Sequence, residues 1–571
     1  MQKKVLIPVL LLLIHFSGQA QTLRRAEILG RPTDNSVTLQ LIFSDSAQVR
    51  VSYGTTPGTY TNQTAWLSLA GNDPAEITLS GLQANTRYYY RVRHRQPGDT
   101  IVTNRPEYTF HTQRPPGTPF TFVVQADPHL DNQSDTALYR LCLQNQLDDA
   151  PDFMVDLGDF LMSEKMRDSN NQIPFDTVAY RCELLRGYYE TTCHSVPLFN
   201  VIGNHEGENG WYRNGTASNI AIWDNLARKK YFLNPVPDAF YTGDTTNYPF
   251  VGVRESYYAW HWGDALFIVL DPYWNTAPKP DSLTGWRWTL GQTQYDWLKN
   301  TLENSAARFK FVFCHQLVGG DPDGRGGIEF ADRYEWGGNN LDGTPGFATN
   351  RPGWYKPIKD LLTENRVNIF FHGHDHFFAK QEKECMIYQE CPQPSHPNFM
   401  NANQAAAYGY VQGQFLPNAG HLRVTVDSSG VQVEYVRAYL PVNETPTRQN
   451  KDVSATYFIG SVNCYDSLTT GVPVLWNSDY MDELVYPNPF SSETRIAFTV
   501  PEQEKLNLSI YTEGGALVKK LLVDSEVPAG RYQVIWDGKS YSGADQPQGL
   551  YFYTITGDKG LRKTGKIILQ R

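Results

Sequence analysis

The chain has 571 residues, with 50 lysines and arginines against 60 aspartates and glutamates and a formal net charge of −10. This length predicts about three or four domains, each able to bury a core. The acidic balance argues against a nucleic-acid scaffold as partner, because proteins that bind one cluster basic residues against phosphates. An aromatic content of 13% excludes a disordered chain, and with only 19% charged residues it is typical of an extracellular, β-rich protein.

The N-terminus has the layout of a cleavable secretory signal. Lys3 and Lys4 precede an apolar run at residues 5–14, and small and polar residues follow up to Ala20. The apolar run is too short for a membrane anchor, which needs about 20 residues, and no later segment is long enough either. We therefore expect residues 1–20 to be removed on export, no transmembrane segment, and a secreted or cell-surface location.

Seven cysteines allow disulfides in an exported chain and leave one thiol unpaired. Cys182 and Cys193 are close in sequence, as are Cys385 and Cys391, so both are candidate local pairs. The connectivity cannot be deduced from the sequence. Cys314 lies in an apolar run and is predicted to be a small buried side chain.

Residues 22–117 contain short runs in which apolar and polar residues alternate, such as 36–41 and 49–53. These runs are separated by Gly, Pro, Asn and Asp. This spacing predicts a small β-sandwich. The stretch Leu82–Tyr88 resembles the tyrosine corner of fibronectin type III modules, with Ala84 in place of the usual proline. The resemblance implies a fibronectin-like N-terminal domain, in which a tyrosine hydroxyl ties the start of a late strand to a neighbouring loop.

From Phe120 the pattern changes to apolar runs that alternate with helical stretches. We assign residues 118–440 to one α/β domain, a layered β-sandwich flanked by helices. The predicted strands are 121–124, 153–155, 196–202, 266–270, 309–313 and 367–371, and the predicted helices are 135–147, 177–189, 293–306 and 359–365. Residues 421–436 indicate a closing hairpin. Residues 441–482 are polar and irregular, so we expect only a connection there.

Residues 483–571 return to short alternating runs and predict a C-terminal β-sandwich. The segment Tyr486–Phe490, the turn Trp536–Gly538, the run Gln548–Tyr553 and the basic end Lys566–Arg571 together resemble the sorting domain of the type IX secretion system. The resemblance implies that this module is an address read by the secretion machinery. A generic carbohydrate-binding or adhesion sandwich is the alternative.

Five polar clusters follow the carboxyl ends of the central apolar runs. They are Asp127-Pro128-His129, Gly158-Asp159, Gly203-Asn204-His205-Glu206, His315 and Gly373-His374-Asp375-His376. In open α/β sheets, ligands bind where strand ends meet a crevice, so distant strands would bring these side chains together. Asp, Asn and His suit Mn, Fe, Zn or Mg and suit copper(I) poorly. The number of ligand-type groups is too large for one ion and predicts two ions about 4 Å apart that share a carboxylate.

The order of these clusters, Asp-x-His, Gly-Asp, Gly-Asn-His-Glu, a lone His and Gly-His-x-His, resembles the calcineurin-like metallophosphoesterase superfamily over residues 120–439. The resemblance implies a two-metal hydrolase of phosphoric esters. The ligands that it implies are Asp127, His129 and His376 for one ion, Asn204, His315 and His374 for the other, and Asp159 as the bridge.

His205 matches the family position that faces the scissile phosphate, where an imidazole stabilises the phosphoryl group or protonates the leaving oxygen. Many relatives orient this histidine with an aspartate three residues after the bridging one. That position is Met162 here, so the dyad is either absent or supplied from elsewhere. Purple acid phosphatases share the fibronectin-like layout but have a tyrosine at that position and a glycine in place of His129. In those enzymes the tyrosine is a ligand of iron(III), so we expect this protein to lack the charge-transfer colour of a metal-bound tyrosinate.

Five further residues have weaker predicted roles. His372 and Asp375 flank the ligands and would support them through hydrogen bonds. Glu206 would brace its own loop. Arg213 and Arg325 would hold substrate phosphate through their guanidinium groups, with simple solvation at the surface as the alternative.

The sequence thus predicts a secreted enzyme that hydrolyses small phosphorylated substrates by in-line attack of a metal-bridging hydroxide. A phosphomonoesterase of the acid-phosphatase type is favoured, and a phosphodiesterase or nucleotidase on the same site is the alternative. A cell-surface binding or adhesion protein on an inactive phosphoesterase fold is the alternative of a different class. The intact set of ligands argues against it.

Overall fold

The computed structural model describes residues 23–166, 173–281, 283–321, 323–460, 474–475, 483–540 and 544–570. The predicted secretory signal at residues 1–20 lies outside these ranges. Within them, no helix combines the length and the apolar composition that a bilayer crossing requires.

The N-terminal region forms a β-sandwich, as its alternating sequence predicts. Its strands are β1 (Leu23–Gly30), β2 (Ser36–Phe43), β3 (Ala47–Gly54), β4 (Asn62–Gln63), β5 (Leu67–Leu69), β6 (Ala75–Ser80), β7 (Arg87–Arg95), β8 (Thr103–Asn104) and β9 (Tyr108–His111). One sheet has the order β1-β2-β6, and the other has the order β4-β3-β7-β8 with β5 on β3 and β9 on β7. The Gln83 N–H donates to the Tyr88 hydroxyl at 2.9 Å, which ties β7 to the loop before it as in a tyrosine corner.

The central domain contains two mixed sheets with helices against their outer faces. Its strands are β10 (Phe120–Gln125), β11 (Phe153–Asp156), β12 (Leu198–Asn200), β13 (Thr242–Gly243), β14 (Tyr258–Trp262), β15 (Ala265–Val269), β16 (Phe309–Phe313), β17 (Ile369–His372), β18 (Phe378–Lys383), β19 (Met386–Glu390), β20 (Gln414–Leu416), β21 (Gly420–Val426), β22 (Gly430–Arg437) and β23 (Val453–Gly460). Its helices are α1 (Thr136–Asp148), α2 (Phe175–Tyr189), α3 (Ile220–Tyr231), α4 (Gln292–Glu303), α5 (Tyr334–Gly337), α6 (Phe347–Asn350), α7 (Ile358–Glu364) and α8 (Gln404–Ala407).

The two sheets pack face to face. The first has the order β12-β11-β10-β21-β22-β23 and the second the order β13-β14-β15-β16-β17-β19-β18-β20. Strands β10, β11 and β12 are parallel to one another, as are β15, β16 and β17. Phe122, Phe153, Phe267 and Phe311 belong to the apolar core between the sheets. Because these parallel strands are covered on both faces, their sequences are continuous apolar runs, as predicted.

Several elements of the central domain were not predicted, among them strands β14, β18 and β19, helix α3 and strand β23. Helix α3 was not identified in the sequence; it begins where the Asn219 side chain accepts a hydrogen bond from the Ile222 N–H. Strand β23 lies within residues 441–482, where only an irregular connection was expected. It pairs antiparallel with β22 and extends the first sheet, burying Ala455 and Tyr457.

Neither candidate local disulfide forms. Cys182 and Cys193 are free thiols buried in the same apolar cluster, and Cys391 is a free thiol in the core between the sheets. Cys385 is disulfide-bonded, so it does not pair with Cys391. Cys314 is buried and free, as its apolar run predicts.

The C-terminal region forms the second predicted β-sandwich. Its strands are β24 (Val474–Leu475), β25 (Glu483–Tyr486), β26 (Thr494–Val500), β27 (Glu504–Thr512), β28 (Leu517–Val527), β29 (Gly530–Trp536), β30 (Gly549–Gly557) and β31 (Arg562–Leu569). The sheets have the orders β24-β29-β26-β25 and β28-β27-β30-β31. Trp536 is fully buried in the core between them.

Candidate metal centre

All five polar clusters meet where the parallel strands of the two sheets end. Asp127 and His129 follow β10, Asp159 follows β11, Asn204 and His205 follow β12, His315 follows β16, and His374 and His376 follow β17. The strands deliver these side chains to one place because parallel neighbours in one sheet end at the same edge.

Three glycines let the ligand loops approach one another closely. A Cβ atom at Gly158 would collide with the backbone of Gly203, and one at Gly203 would collide with Asp159. A Cβ atom at Gly373 would collide with the Asp127 carboxylate. The glycine before each ligand in these motifs is therefore needed for the packing of the loops.

The ligand loops also hold their residues in an uncommon backbone conformation. The φ angle is 57° at Asp127, 51° at His129, 59° at Asp159, 80° at His374 and 64° at His376. Residues other than glycine rarely adopt this left-handed region, at a cost of about 1–3 kcal/mol each, and such residues concentrate at functional sites. The surrounding fold therefore determines the direction of each ligand side chain.

The carboxylate and imidazole atoms form two groups that share one residue. Asp127, His129, Asp159 and His376 offer four ligand atoms within 4.8 Å of one another, and Asp159, His315 and His374 offer three. The Asp159 Oδ2 atom lies 3.7 Å from His129 Nε2 and 3.1 Å from His315 Nε2. Asp159 therefore stands between the two groups, as a bridging ligand would.

The inward-facing atoms of these residues have no hydrogen-bond partner within the protein. Among the described residues, six such buried atoms are Asp127 Oδ1, His129 Nε2, Asp159 Oδ2, Asn204 Oδ1, His315 Nε2 and His374 Nδ1. Buried polar atoms are otherwise almost always hydrogen-bonded, because an unsatisfied one costs about 1–3 kcal/mol. Oxygen and nitrogen atoms aimed at a common point fit a pair of divalent cations.

The electrostatics of the site favour positive charge. Burial alone would lower the pKa of His315, but the charges of Asp159 and Asp127 raise it to about 9. Burial alone would raise the pKa of Asp159, but His315 and His205 hold it well below its usual range. The carboxylates thus attract any cation, whether a proton on an imidazole or a metal ion.

The comparisons with known proteins agree with this geometry. Residues 120–378 match the profile of the calcineurin-like phosphoesterase family. The chain contains a metallophosphoesterase domain. Residues 488–560 match the profile of the FlgD Ig-like domain, within the C-terminal sandwich.

Solved structures resemble the chain at low sequence identity. PhoD superposes with a TM-score of 0.56 at 14% identity, covering 80% of this chain and 92% of its own. A purple acid phosphatase from yellow lupin (Lupinus luteus) seeds gives a TM-score of 0.48 at 14% identity, covering 76% of this chain and 74% of its own. No curated protein sequence matches the chain. The PhoD likeness shows a shared fold.

Glu206 braces the loops of the metallophosphoesterase domain, as expected. Its carboxylate accepts hydrogen bonds from the backbone N–H groups of Asp159 at 2.8 Å, Phe160 at 2.8 Å and Leu161 at 3.0 Å, and also from that of Gly203. This side chain joins the loop after β11 to the loop after β12 and fixes the backbone on both sides of the bridging aspartate.

The side chains of His372 and Asp375 contact Glu390, Tyr410 and Arg325, and Arg325 in turn donates to the His374 carbonyl at 3.0 Å. His372 Nδ1 lies 2.7 Å from Glu390 Oε2. The Asp375 carboxylate accepts from the Tyr410 hydroxyl at 2.8 Å and from Arg325 at 3.0 Å. Neither His372 nor Asp375 belongs to the two ligand groups.

His205 is oriented by Glu164, a residue that the sequence did not identify. The Nδ1 atom of His205 forms a short hydrogen bond with Glu164 Oε1, and its Nε2 atom lies 3.9 Å from Asp159 Oδ2. Glu164 lies in a 3-10 turn that follows Met162, whose left-handed φ of 57° redirects the chain. Glu164, two residues after Met162, thus takes the place of the aspartate that pairs with this histidine in many relatives.

The ligands line an open cleft with a volume of about 280 Å³. The cleft is also lined by Lys165, Lys279, Arg325, Trp211, Tyr212 and Trp288. In the described part of the chain, neither lysine ammonium group has an ion pair, and both lysines are exposed. The cleft therefore presents cationic side chains and aromatic surface beside the candidate ligands, together with the acidic residues Glu164 and Asp323.

The two predicted phosphate-binding arginines differ in position. Arg325 lines the cleft, although its guanidinium also donates to the His374 carbonyl at 3.0 Å and stacks on Tyr408. Arg213 does not line the cleft; it is exposed and stacks on the Trp274 ring at 4.6 Å. The solvated alternative therefore applies to Arg213.

Proposed function

We propose that the protein is a secreted two-metal phosphoesterase that prefers phosphate monoesters. The observation that carries this proposal is the convergence of six partnerless, buried donor atoms on two sites joined at Asp159. The family match of residues 120–378 supports the same reaction class.

The ligand roles follow from the two groups. Asp127, His129 and His376 would hold one ion, Asn204, His315 and His374 the other, and Asp159 both. When bound, such a pair activates a water for in-line attack and neutralises the charge of the phosphoryl oxygens. The candidates are Mn, Fe, Zn and Mg, because the donors are imidazole nitrogens and hard oxygens. No side-chain nucleophile is needed.

The chain's own proton donor is His205. Glu164 accepts from Nδ1, so Nε2 faces the cleft and is the atom that gives a proton to the leaving oxygen. The Glu164 carboxylate fixes the plane of the His205 ring through this contact. General-acid catalysis of this kind contributes about 10²- to 10⁴-fold.

The preference for monoesters rests on the cations of the cleft. A phosphate monoester carries a charge of about −1.5 to −2 at neutral pH, whereas a diester carries one negative charge. Lys165 and Lys279 add positive charge, and within the described chain neither forms an ion pair. The more highly charged phosphoryl group therefore gains more from this cleft.

Metal reconstitution followed by turnover of aryl phosphates tests the proposal. The protein, loaded in turn with each candidate metal, should hydrolyse an aryl monoester with a higher kcat/KM than the matched diester. A higher kcat/KM on the diester would assign the site to phosphodiesters instead. Neither stoichiometric metal nor turnover would favour the binding or adhesion alternative.

A nucleotidase is the second candidate, because Trp211 lines the cleft. Its indole is half-buried and packs edge-on against Trp288 with the ring centroids 6.0 Å apart. Base stacking on an aromatic side chain contributes about 1–3 kcal/mol. Trp211→Leu should lower kcat/KM for adenosine monophosphate about tenfold or more and leave ribose 5-phosphate unchanged, with Trp211→Phe as the aromatic control. Equal losses on both substrates would remove this candidate.

Export and sorting complete the proposal. We assign residues 1–20 to the secretory signal and residues 483–571 to the sorting module that the secretion machinery reads. A chain truncated after residue 482 should remain in the cell and stay active after purification, since the ligands all lie before that point. A truncated chain that still reaches the medium would assign another role to the C-terminal sandwich.

A further inference from the structure

Four arginines lie together on the outer face of the N-terminal sandwich. Arg50 on β3 is directly opposite Arg93 on β7, and Arg91 and Arg95 flank Arg93 on the same face. We call these four residues the arginine row. Alternate residues on a strand are about 7 Å apart, so the row presents positive charge along about 13 Å of sheet.

The guanidinium groups of the row are held in place by two aromatic rings. Arg50 and Arg95 stack on Trp66 with distances of 4.7 and 4.3 Å to the ring centroid. Arg91 and Arg93 lie 5.6 and 5.7 Å from the centroid of Tyr60. Stacking restricts these long side chains before any ligand arrives, which lowers the entropy cost of binding.

The protein compensates the charges of the row only in part, through the Glu107 carboxylate near Arg91. Within the described ranges, none of the four guanidinium groups forms an ion pair, and the Nε atoms of Arg50, Arg91 and Arg93 have no hydrogen-bond partner. The Glu107 carboxylate instead accepts from the Tyr60 hydroxyl and from the Gly58 N–H. Like charges directly opposite each other on a sheet are destabilising, so an external anion would relieve the repulsion between neighbouring guanidiniums.

We propose that the arginine row binds a linear acidic polysaccharide through its sulfate or carboxylate groups. A guanidinium donates two parallel hydrogen bonds to such a group, and a regular row fits a polymer with evenly spaced charges. A single-stranded nucleic acid fits less well, because its bases need free aromatic faces and here guanidinium groups occupy the faces of Trp66 and Tyr60. The whole chain carries a net charge of −10 and would repel a polyanion. A polyanion would therefore be attracted only by a local cluster of positive charge such as the arginine row.

Binding of dextran sulfate to the full chain, with neutral dextran as the reference, tests the proposal. The wild type should bind dextran sulfate and not dextran. Arg50→Gln combined with Arg93→Gln should weaken binding at least tenfold. The slope of the logarithm of the binding constant against the logarithm of the salt concentration should also become shallower by about two. Arg140→Gln is the matched control, since Arg140 is an exposed arginine stacked on Tyr188 at 4.2 Å, in a different domain.

Melting followed by circular dichroism shows whether each variant folds, independently of any activity. If the double glutamine variant does not fold, Arg91→Gln alone serves and should weaken binding by a smaller factor. Equal affinity of the wild type and the folded variant for dextran sulfate would overturn the proposal. Tighter binding of single-stranded polythymidine than of dextran sulfate would overturn it too and assign the row to nucleic acid.

Discussion

The two sides of the cleft are built in different ways. The ligand side consists of residues at strand ends, most of them buried, and the surrounding loops impose their backbone conformations, as at Asp127 and Asp159. The proton side consists of His205 and Glu164, which lie in two short 3-10 turns. The His205 side chain keeps 16% of its surface exposed and that of Asp159 keeps 1%, while His376, at the edge of the ligand side, keeps 28%.

This difference indicates a division of labour. The buried ligands cannot be displaced without disturbing the sheets, so they suit ions that stay in place through every turnover. The exposed imidazole can meet substrate and exchange protons with water. Substitutions on the first side should change metal content and activity together, and substitutions on the second side should change activity alone.

The largest effect is expected for Asp159→Asn. An amide removes the negative charge shared by both groups, so metal content should fall and activity should drop by about 10⁴-fold, as for the loss of several kcal/mol of charge stabilisation. Metal analysis and kcat measured on the same sample check this. A fully active variant with unchanged metal would refute the bridging role.

His205→Ala should have the next largest effect. The variant should keep its metal and lose about 10³-fold in kcat, because the leaving oxygen no longer receives a proton from the protein. Aryl esters with good leaving groups should be affected least, which provides an internal control. Loss of metal in this variant would place His205 on the ligand side instead.

A smaller effect is expected for Glu164→Gln, because this residue acts through His205. The neutral amide no longer accepts the hydrogen bond of Nδ1 as a carboxylate does and holds the ring less firmly, so kcat should fall about tenfold while the metal content is unchanged. In the His205→Ala background the same substitution should have little further effect, since the two residues act as a unit. Additive losses would show that Glu164 works independently of His205.

The convergence of the candidate ligands could be predicted from the sequence because each follows a buried strand. An apolar run such as Phe309–Phe313 fixes where the strand ends, and the sheet then fixes where His315 lies. The glycines at 158, 203 and 373 mark the close approach of the loops. The two sandwiches were predictable for the same reason, since alternation of apolar residues specifies a strand and its face.

Other features depend on contacts that sequence spacing does not show. Glu164 was missed because the left-handed backbone at Met162 shifts the dyad partner by two residues. The available signal was a carboxylate close after the Gly-Asp motif. Strand β23 was missed because its residues become a strand only by pairing with the edge of β22. The proximity of Cys182 and Cys193 in sequence was misleading, because both thiols pack separately in an apolar core.

The central claim is that two ions bind at the groups joined by Asp159. The most direct test is elemental analysis of the full chain after reconstitution with Mn, Fe, Zn or Mg and extensive dialysis. We expect about two equivalents of one or two of these metals per chain. Retention of no metal, with every candidate ion offered, would contradict it.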